Sequence, residues 1–267
     1  MSEFKSYHAI LKAFENVFFE QEKHAYFIEG KETKYSSTKL LKNWTPVFDS
    51  VKMANIVAQK QGFLPEDILD KWDFEREFSC FKGTMLHEYI EKFLDRKPTP
   101  TDQDKIKTFL IKNNRKNELS RGLEEFSNHV EAFKQFYNWW KNDHFLVKTE
   151  LVIGDSRGGG IGGTIDNLSY NHKEDKYVLF DYKSNKEVGT KNKYKEKLLK
   201  PFQHLDNCEL VKYSLQLLIY RKILKDNSGV DVDVKNCNIV WLSREGEFKM
   251  YSVLPLENEV ETIFNLI

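Results

Sequence analysis

Residues 160–183 show the clearest hydrophobic alternation in the chain. Two β-rich apolar runs, Gly-Ile-Gly-Gly-Thr-Ile-Asp-Asn-Leu-Ser-Tyr and Tyr-Val-Leu-Phe-Asp-Tyr-Lys, flank the polar link Asn-His-Lys-Glu-Asp-Lys. That pattern predicts an antiparallel hairpin. The run at 147–153 predicts a preceding strand, with a flexible turn at Gly158-Gly159-Gly160 between them. Two more strands are predicted near 237–243 and 248–254, followed by a short C-terminal helix. Elsewhere the period is helical. Helices are predicted at 48–61, ended by Gly62, and in a short stretch opened by Pro65. At 83–94, Leu86, Ile90, Phe93 and Leu94 form one apolar arc of a helix. Further helices are predicted at 123–141, rich in Phe and Trp, and at 209–225. Residues 1–34 read as a helix and then an aromatic connection around Tyr26-Phe27-Ile28. The hydroxyls at 36–38 precede an apolar helical pattern and suggest an N-cap. Residues 95–121, with Pro98 and Pro100, read as a loop or loosely packed helix.

Composition narrows the class. The 267 residues suffice for one large or two small domains, and 40% hydrophobic residues can build a sizeable core. No apolar run approaches the roughly 20 residues of a membrane span. The N-terminal residues carry neither a signal-peptide core nor an acid-free, Arg-rich transit pattern, so a cytoplasmic setting in a bacterial or phage-infected cell is expected. The scattered Cys80, Cys208 and Cys237 suit a reducing compartment and do not suit a four-cysteine iron–sulfur cluster. Lys and Arg together number 41, as do Asp and Glu, so any nucleic-acid surface must be a local patch.

The candidate chemistry gathers on the hairpin. Its first strand carries Asp166, and its second ends in Asp181-Tyr182-Lys183. Strand side chains alternate, so Asp181 and Lys183 share a face. Two carboxylates and an ammonium converging at one hairpin end suit a divalent metal and an activated water. On the 83–94 helix, His87 edges the apolar arc, and Glu91 lies one turn on. In the 209–225 helix, Tyr213, Gln216 and Tyr220 fall on one face. Gly158-Gly159-Gly160 is not a phosphate loop, since it neither ends in Lys-Ser/Thr nor opens a helix. Lysines are dense directly after the hairpin, at Lys186, Lys191, Lys193, Lys195, Lys197 and Lys200, and could hold substrate phosphates. A second basic tract spans 105–121.

These motifs, in order, resemble the PD-(D/E)XK nuclease superfamily. The acid on one strand, the acid-x-Lys on the next, the upstream Gly-x-x-x-His-x-x-x-Glu helix and the downstream Gln-x-x-x-Tyr helix are similar to its RecB-like and phage-type exonuclease branch. Two departures stand out: Ile165 replaces the family proline, and the acid-x-Lys acid is Asp181 rather than Glu. The resemblance implies a restriction-endonuclease-like αβββαβ core with a mixed sheet at 83–267 and a helical N-terminal elaboration at 1–82. It implies Asp166, Asp181, Lys183 and Gln216 as catalytic residues. It implies one or two Mg²⁺ or Mn²⁺ ions on His87, Asp166, Asp181 and the Tyr182 carbonyl. Glu91, Glu150, Tyr213 and Tyr220 are expected around that set. The implied activity is metal-dependent hydrolysis of DNA, most simply by an exonuclease processing ends in recombination, repair or phage replication. A single-strand-annealing or helicase protein could act alongside it. A structure-specific or defence endonuclease, or a DNA-binding module without catalysis, stays open.

Overall fold

The computed structural model describes residues 2–99 and 103–267; Pro100, expected in a loop, lies outside the described residues. The N-terminal part begins with α1 (Ser2–Ala13). The expected aromatic connection is instead an antiparallel three-stranded sheet of β1 (Val17–Glu20), β2 (Ala25–Ile28) and β3 (Lys31–Glu32). Val17, Phe19, Tyr26 and Ile28 alternate with Phe18 and Phe27, so both faces are apolar and the strand period was hidden. β4 (Tyr35–Ser36) leads into α2 (Ser37–Leu41), whose N-cap is the Ser36 hydroxyl, accepting from the Lys39 N–H at 3.2 Å.

α3 (Ser50–Gln61) stops at Gly62, which adopts a left-handed φ of 71°. The short helix expected after Pro65 and the helix carrying His87 are one element, α4 (Pro65–Leu94). Gly83 does not break it. Phe74, Phe78, Met85, Leu86 and Ile90 stay buried along its length, and their burial outweighs the roughly 1 kcal/mol cost of one helical glycine. The division expected between 82 and 83 falls inside this helix. α5 (Gln103–Lys112) and α6 (Leu119–Trp140) follow, and Ile106 and Leu110 anchor α5 to the core.

β5 (His144–Asp155), β6 (Ile161–Asn171) and β7 (Lys176–Lys183) form an antiparallel meander, as the alternation predicted. α7 (Glu209–Ser228) crosses over to β8 (Cys237–Leu242), which pairs parallel to β7. β9 (Phe248–Ser252) and α8 (Glu257–Asn265) complete the chain. Among the described residues these strands and β4 make a six-stranded mixed sheet, the αβββαβ arrangement expected. β6 is its pivot. One edge pairs with β5; the other is shared, with β4 at Ile161 and Gly162 and β7 from Asn167 onward.

The sheet separates two cores. Leu179, Ile165 and Ile239 face α1, α2, α7 and α8, while Phe180, Tyr182 and Val240 face α4, α5 and α6. Close approach explains two glycines in β6. A Cβ at Gly162 would collide with the Tyr26 ring, and one at Gly163 with the Tyr220 ring. A buried charge cluster ties the second core together. Glu125 on α6 binds Lys82 on α4 and lies 3.4 Å from Arg244 in the β8–β9 turn. Burial, reinforced by Arg244 and Arg121, lowers the Lys82 ammonium to about 8.

Candidate active site

The site forms where β6 and β7 part. Their ladder runs from Asn171–Lys176 to Asn167–Phe180 and then ends. Beyond it the Asp166 carboxylate fills the gap, accepting the Tyr182 N–H at 2.7 Å. Tyr182 is held from below by a buried relay. Trp140 donates to the Ser169 hydroxyl, Ser169 to the Asn167 carboxamide oxygen, and the Asn167 amide to the Tyr182 hydroxyl. The Phe133 and Phe136 rings pack edge-on against Tyr182 at 5.9 and 5.7 Å. The loss of one ladder bond is therefore offset by a side chain with chemistry of its own.

Three elements converge on Asp166. α4 brings His87, whose Nδ1 lies 3.6 Å from Asp166 Oδ1 and 3.5 Å from Glu150 Oε1. β5 brings Glu150. The Thr149 hydroxyl donates to the Asp166 carbonyl at 3.0 Å, and Glu150 itself has a φ of 45° inside the strand. A positive φ at a non-glycine strand residue costs on the order of 1–3 kcal/mol and recurs where a side chain must be re-aimed. His87, Glu150 and Asp166 offer ligand atoms all within 4.8 Å of one another, a group that could hold a metal ion. One nitrogen and several carboxylate oxygens suit a divalent cation of intermediate hardness.

β7 brings the second half of the site. Asp181 and Lys183 share a face, as alternation required, and Lys183 Nζ lies 2.5 Å from Asp181 Oδ2. The ammonium sits 4.9 Å from the centre of the Tyr213 ring on α7. Gln216 is turned to another partner, donating to the Tyr220 hydroxyl at 2.8 Å. That hydroxyl also accepts from Ser37 at 2.9 Å. Tyr220 thus braces α7 against α2 and covers Gly163.

The electrostatics are those of charges removed from water. Burial pulls the His87 imidazole down, but Asp166 and Glu150 overcome it and raise it to about 9. Burial lifts Asp166 above the usual carboxylate range against the pull of His87. Burial also lifts Asp181 to about 6, although Lys183 opposes it. Burial would lower Lys183, yet Asp181 and Asp166 hold it above the ordinary lysine value. Lys183 is thus held as an ammonium by its carboxylate neighbours.

Beside this set lies an open cleft of about 530 Å³. One face of α4 lines it through Thr84, His87, Glu88, Glu91 and Lys92, and the sheet through Glu150, Val152 and Thr164. Glu91 is thus on the cleft wall, one turn from His87. Phe19 and Gln21 close the cleft from the β1–β2 hairpin, where Tyr26 bonds Thr164 at 3.1 Å. Those two residues were missed in the sequence. Two aromatic runs about a short polar link were present there, but without the alternation that marks the 160–183 hairpin.

The basic tracts differ from their sequence reading. In 105–121, Lys105 pairs with Glu88, Arg115 with Asp70, and Arg121 with Glu75, so much of that charge is neutralised against α4. In the segment after β7, Lys193 pairs with Glu187 at 3.0 Å and Lys197 with Asp206 at 2.6 Å. Lys186, Lys191, Lys195 and Lys200 are exposed and form no ion pair among the described residues.

A family model described as the PD-(D/E)XK nuclease superfamily matches residues 63–252. No curated protein matches the chain. Among solved structures, an exonuclease candidate from Eubacterium rectale is similar, at 12% identity and a TM-score of 0.38. The match covers 66% of this chain and 69% of that one. At that score the likeness carries no further weight. No described helix is long and apolar enough to cross a membrane.

Proposed function

The chain belongs to the PD-(D/E)XK nuclease superfamily, and on that premise we propose that it is a Mg²⁺- or Mn²⁺-dependent deoxyribonuclease of the RecB-like, phage-type branch that degrades DNA from its ends. One observation carries this reading: His87, Glu150 and Asp166 converge where β6 and β7 part, next to the Asp181–Lys183 pair. A divalent cation held there would supply Lewis-acid stabilisation of phosphate charge and lower the pKa of a water.

His87 Nδ1, the Glu150 and Asp166 carboxylates and Asp181 are the groups that would hold it. Tyr182 adds its carbonyl. Its N–H points at Asp166, and in an extended strand a residue's N–H and C=O leave by the same edge. The donor set thus differs in weight from the sequence expectation, with Glu150 promoted from neighbour to ligand. Asp181 would exchange its ion pair with Lys183 for the cation. Lys183, held protonated, would orient the attacking water and steady the charge on the scissile phosphate. Tyr213 fixes the ammonium through its ring. Gln216 acts through Tyr220, as a brace for α7, rather than on the lysine.

The test is a time course on linear duplex DNA and on a covalently closed relaxed circle, in Mg²⁺, Mn²⁺ and chelator. Linear DNA should be degraded with either metal, the circle spared, and chelator should abolish activity. Equal rates on both substrates would replace end-processing with endonucleolytic cutting. Full activity in chelator would remove the metal from the reading.

A further inference from the structure

Tyr194 is 87% exposed, the most exposed aromatic ring among the described residues. It is not on a loose strand of chain. It sits in a tight turn closed by the Lys195 N–H on the Asn192 carbonyl at 3.1 Å. The Asn192 carboxamide oxygen accepts the N–H groups of Tyr194 and Glu196, at 2.8 and 3.1 Å. Its amide donates to the Asn207 carbonyl at 2.8 Å. The turn is clamped further by the Lys197–Asp206 bridge and by buried Leu198. Holding a large ring out of the core in a fixed backbone forgoes its burial, so the ring is left free to cover something else.

Its surroundings indicate what. Tyr194 stands between Lys193 and Lys195, with Lys191 two residues further back, and Lys191 and Lys195 form no ion pair among the described residues. Gly189, two residues before Lys191, accepts the Leu210 N–H at the start of α7 at 3.0 Å, and Tyr213, one turn on in that helix, carries the Lys183 ammonium on its ring. The segment that leads into the turn is therefore tied to the end of α7 that reaches Lys183. Lysines that follow a phosphate backbone with an aromatic ring between them are the elements of a single-strand binding surface. The cations take the phosphates and the ring takes a base face. A base within intact duplex is already stacked on both sides and offers no free face.

Resting on the nuclease reading above, we propose that Tyr194 stacks on an unpaired base of the strand whose phosphates the neighbouring lysines hold, so that the enzyme engages single-stranded DNA or a frayed end in preference to blunt duplex. Tyr194 is a specificity-determining residue on this view, and it touches substrate rather than the metal set.

The experiment compares wild type, Tyr194→Ala, Tyr194→Trp and Lys191→Gln/Lys195→Gln. Fluorescence anisotropy would follow binding to a single-stranded oligonucleotide and to a blunt hairpin duplex, in chelator and over a salt series, with cleavage of both in Mn²⁺ measured alongside. Tyr194→Ala should weaken single-strand binding about tenfold, the loss of one stacked base, and change duplex binding less than twofold. Its salt slope should match wild type, because no charge is removed. Tyr194→Trp should bind as wild type or better. The double lysine variant should lower the salt slope on both substrates. If Tyr194→Ala binds and cuts single strands as wild type does, or loses both substrates equally, the stacking proposal is overturned while the nuclease reading stands. If wild type neither binds nor cuts either substrate, both fall together.

Discussion

At the scale of single residues, the site holds opposite charges that neutralise one another. Lys183 illustrates this. Its ammonium is fixed by Asp181 at 2.5 Å and by the Tyr213 ring. Lys183→Ala should therefore abolish cleavage while leaving DNA affinity within about threefold, since phosphate binding falls to the unpaired lysines elsewhere. Cleavage and anisotropy measured on the same preparation would separate the two; wild-type turnover would exclude Lys183 from the chemistry. His87 allows a second test that needs no substrate. Its imidazole is raised to about 9 in the folded chain by Asp166 and Glu150, against an ordinary value near 6.5. A raised folded value means that the native state holds the extra proton. This stabilisation is complete below about pH 6.5 and is lost as pH rises through about 9. In chelator the thermal midpoint should fall across that window, and His87→Gln should flatten the fall. An unchanged slope in the variant would show that the imidazolium is not held by the two carboxylates. Glu150 marks where a residue's role outran its sequence signal: an acid in a strand is unremarkable until a φ of 45° aims it at His87.

At the scale of elements, α7 serves two purposes that its sequence runs together. Its apolar residues bury Leu215, Leu217, Leu218 and Ile219 against the sheet. Its polar residues place Tyr213 under Lys183 and Tyr220 over Gly163. Leu217→Ala should cost about 2–5 kcal/mol of stability in a denaturant titration, because Leu217 is 1% exposed and leaves a cavity. Gln216→Ala removes one hydrogen bond to Tyr220, worth about 0.5–1.5 kcal/mol, and should lower turnover by loosening that brace. Equal stability losses with unchanged turnover would make Gln216 an ordinary core-edge residue. The order of helices and strands from 123 onward was legible because apolar runs of strand or helix length alternate with polar links. The β1–β2 hairpin was not, because both of its faces are apolar. Nor was the continuity of α4 across Gly83, since burial along its length decides whether a helical glycine is tolerated.

At the scale of the molecule, equal numbers of acids and bases leave little long-range attraction for bulk DNA. Affinity must come from the few cations not already paired. In the segment after β7 these are Lys186, Lys191, Lys195 and Lys200, whereas Lys193 and Lys197 are engaged with Glu187 and Asp206. Charge reversal at Lys186, Lys191 and Lys195 should weaken DNA binding by about tenfold or more at low salt and flatten its salt dependence. Metal binding, followed by calorimetry, should be unchanged. The same reversal at Lys193 and Lys197 would also break internal ion pairs, so it cannot be read as a binding effect alone.

By itself the sequence determined the alternation that makes β5, β6 and β7, the shared face of Asp181 and Lys183, and the helical spacing of His87 with Glu91. Each depends only on the period of a strand or a helix, which is local. The tertiary structure alone decided which carboxylates meet. Asp166 caps Tyr182 because β6 and β7 separate after one particular pair, and Glu150 meets His87 from a backbone of positive φ within β5. It also decided which lysines are free. Ion pairing depends on where chain segments far apart in sequence come to lie, and Glu88, Asp70 and Asp206 reach their partners only through the fold.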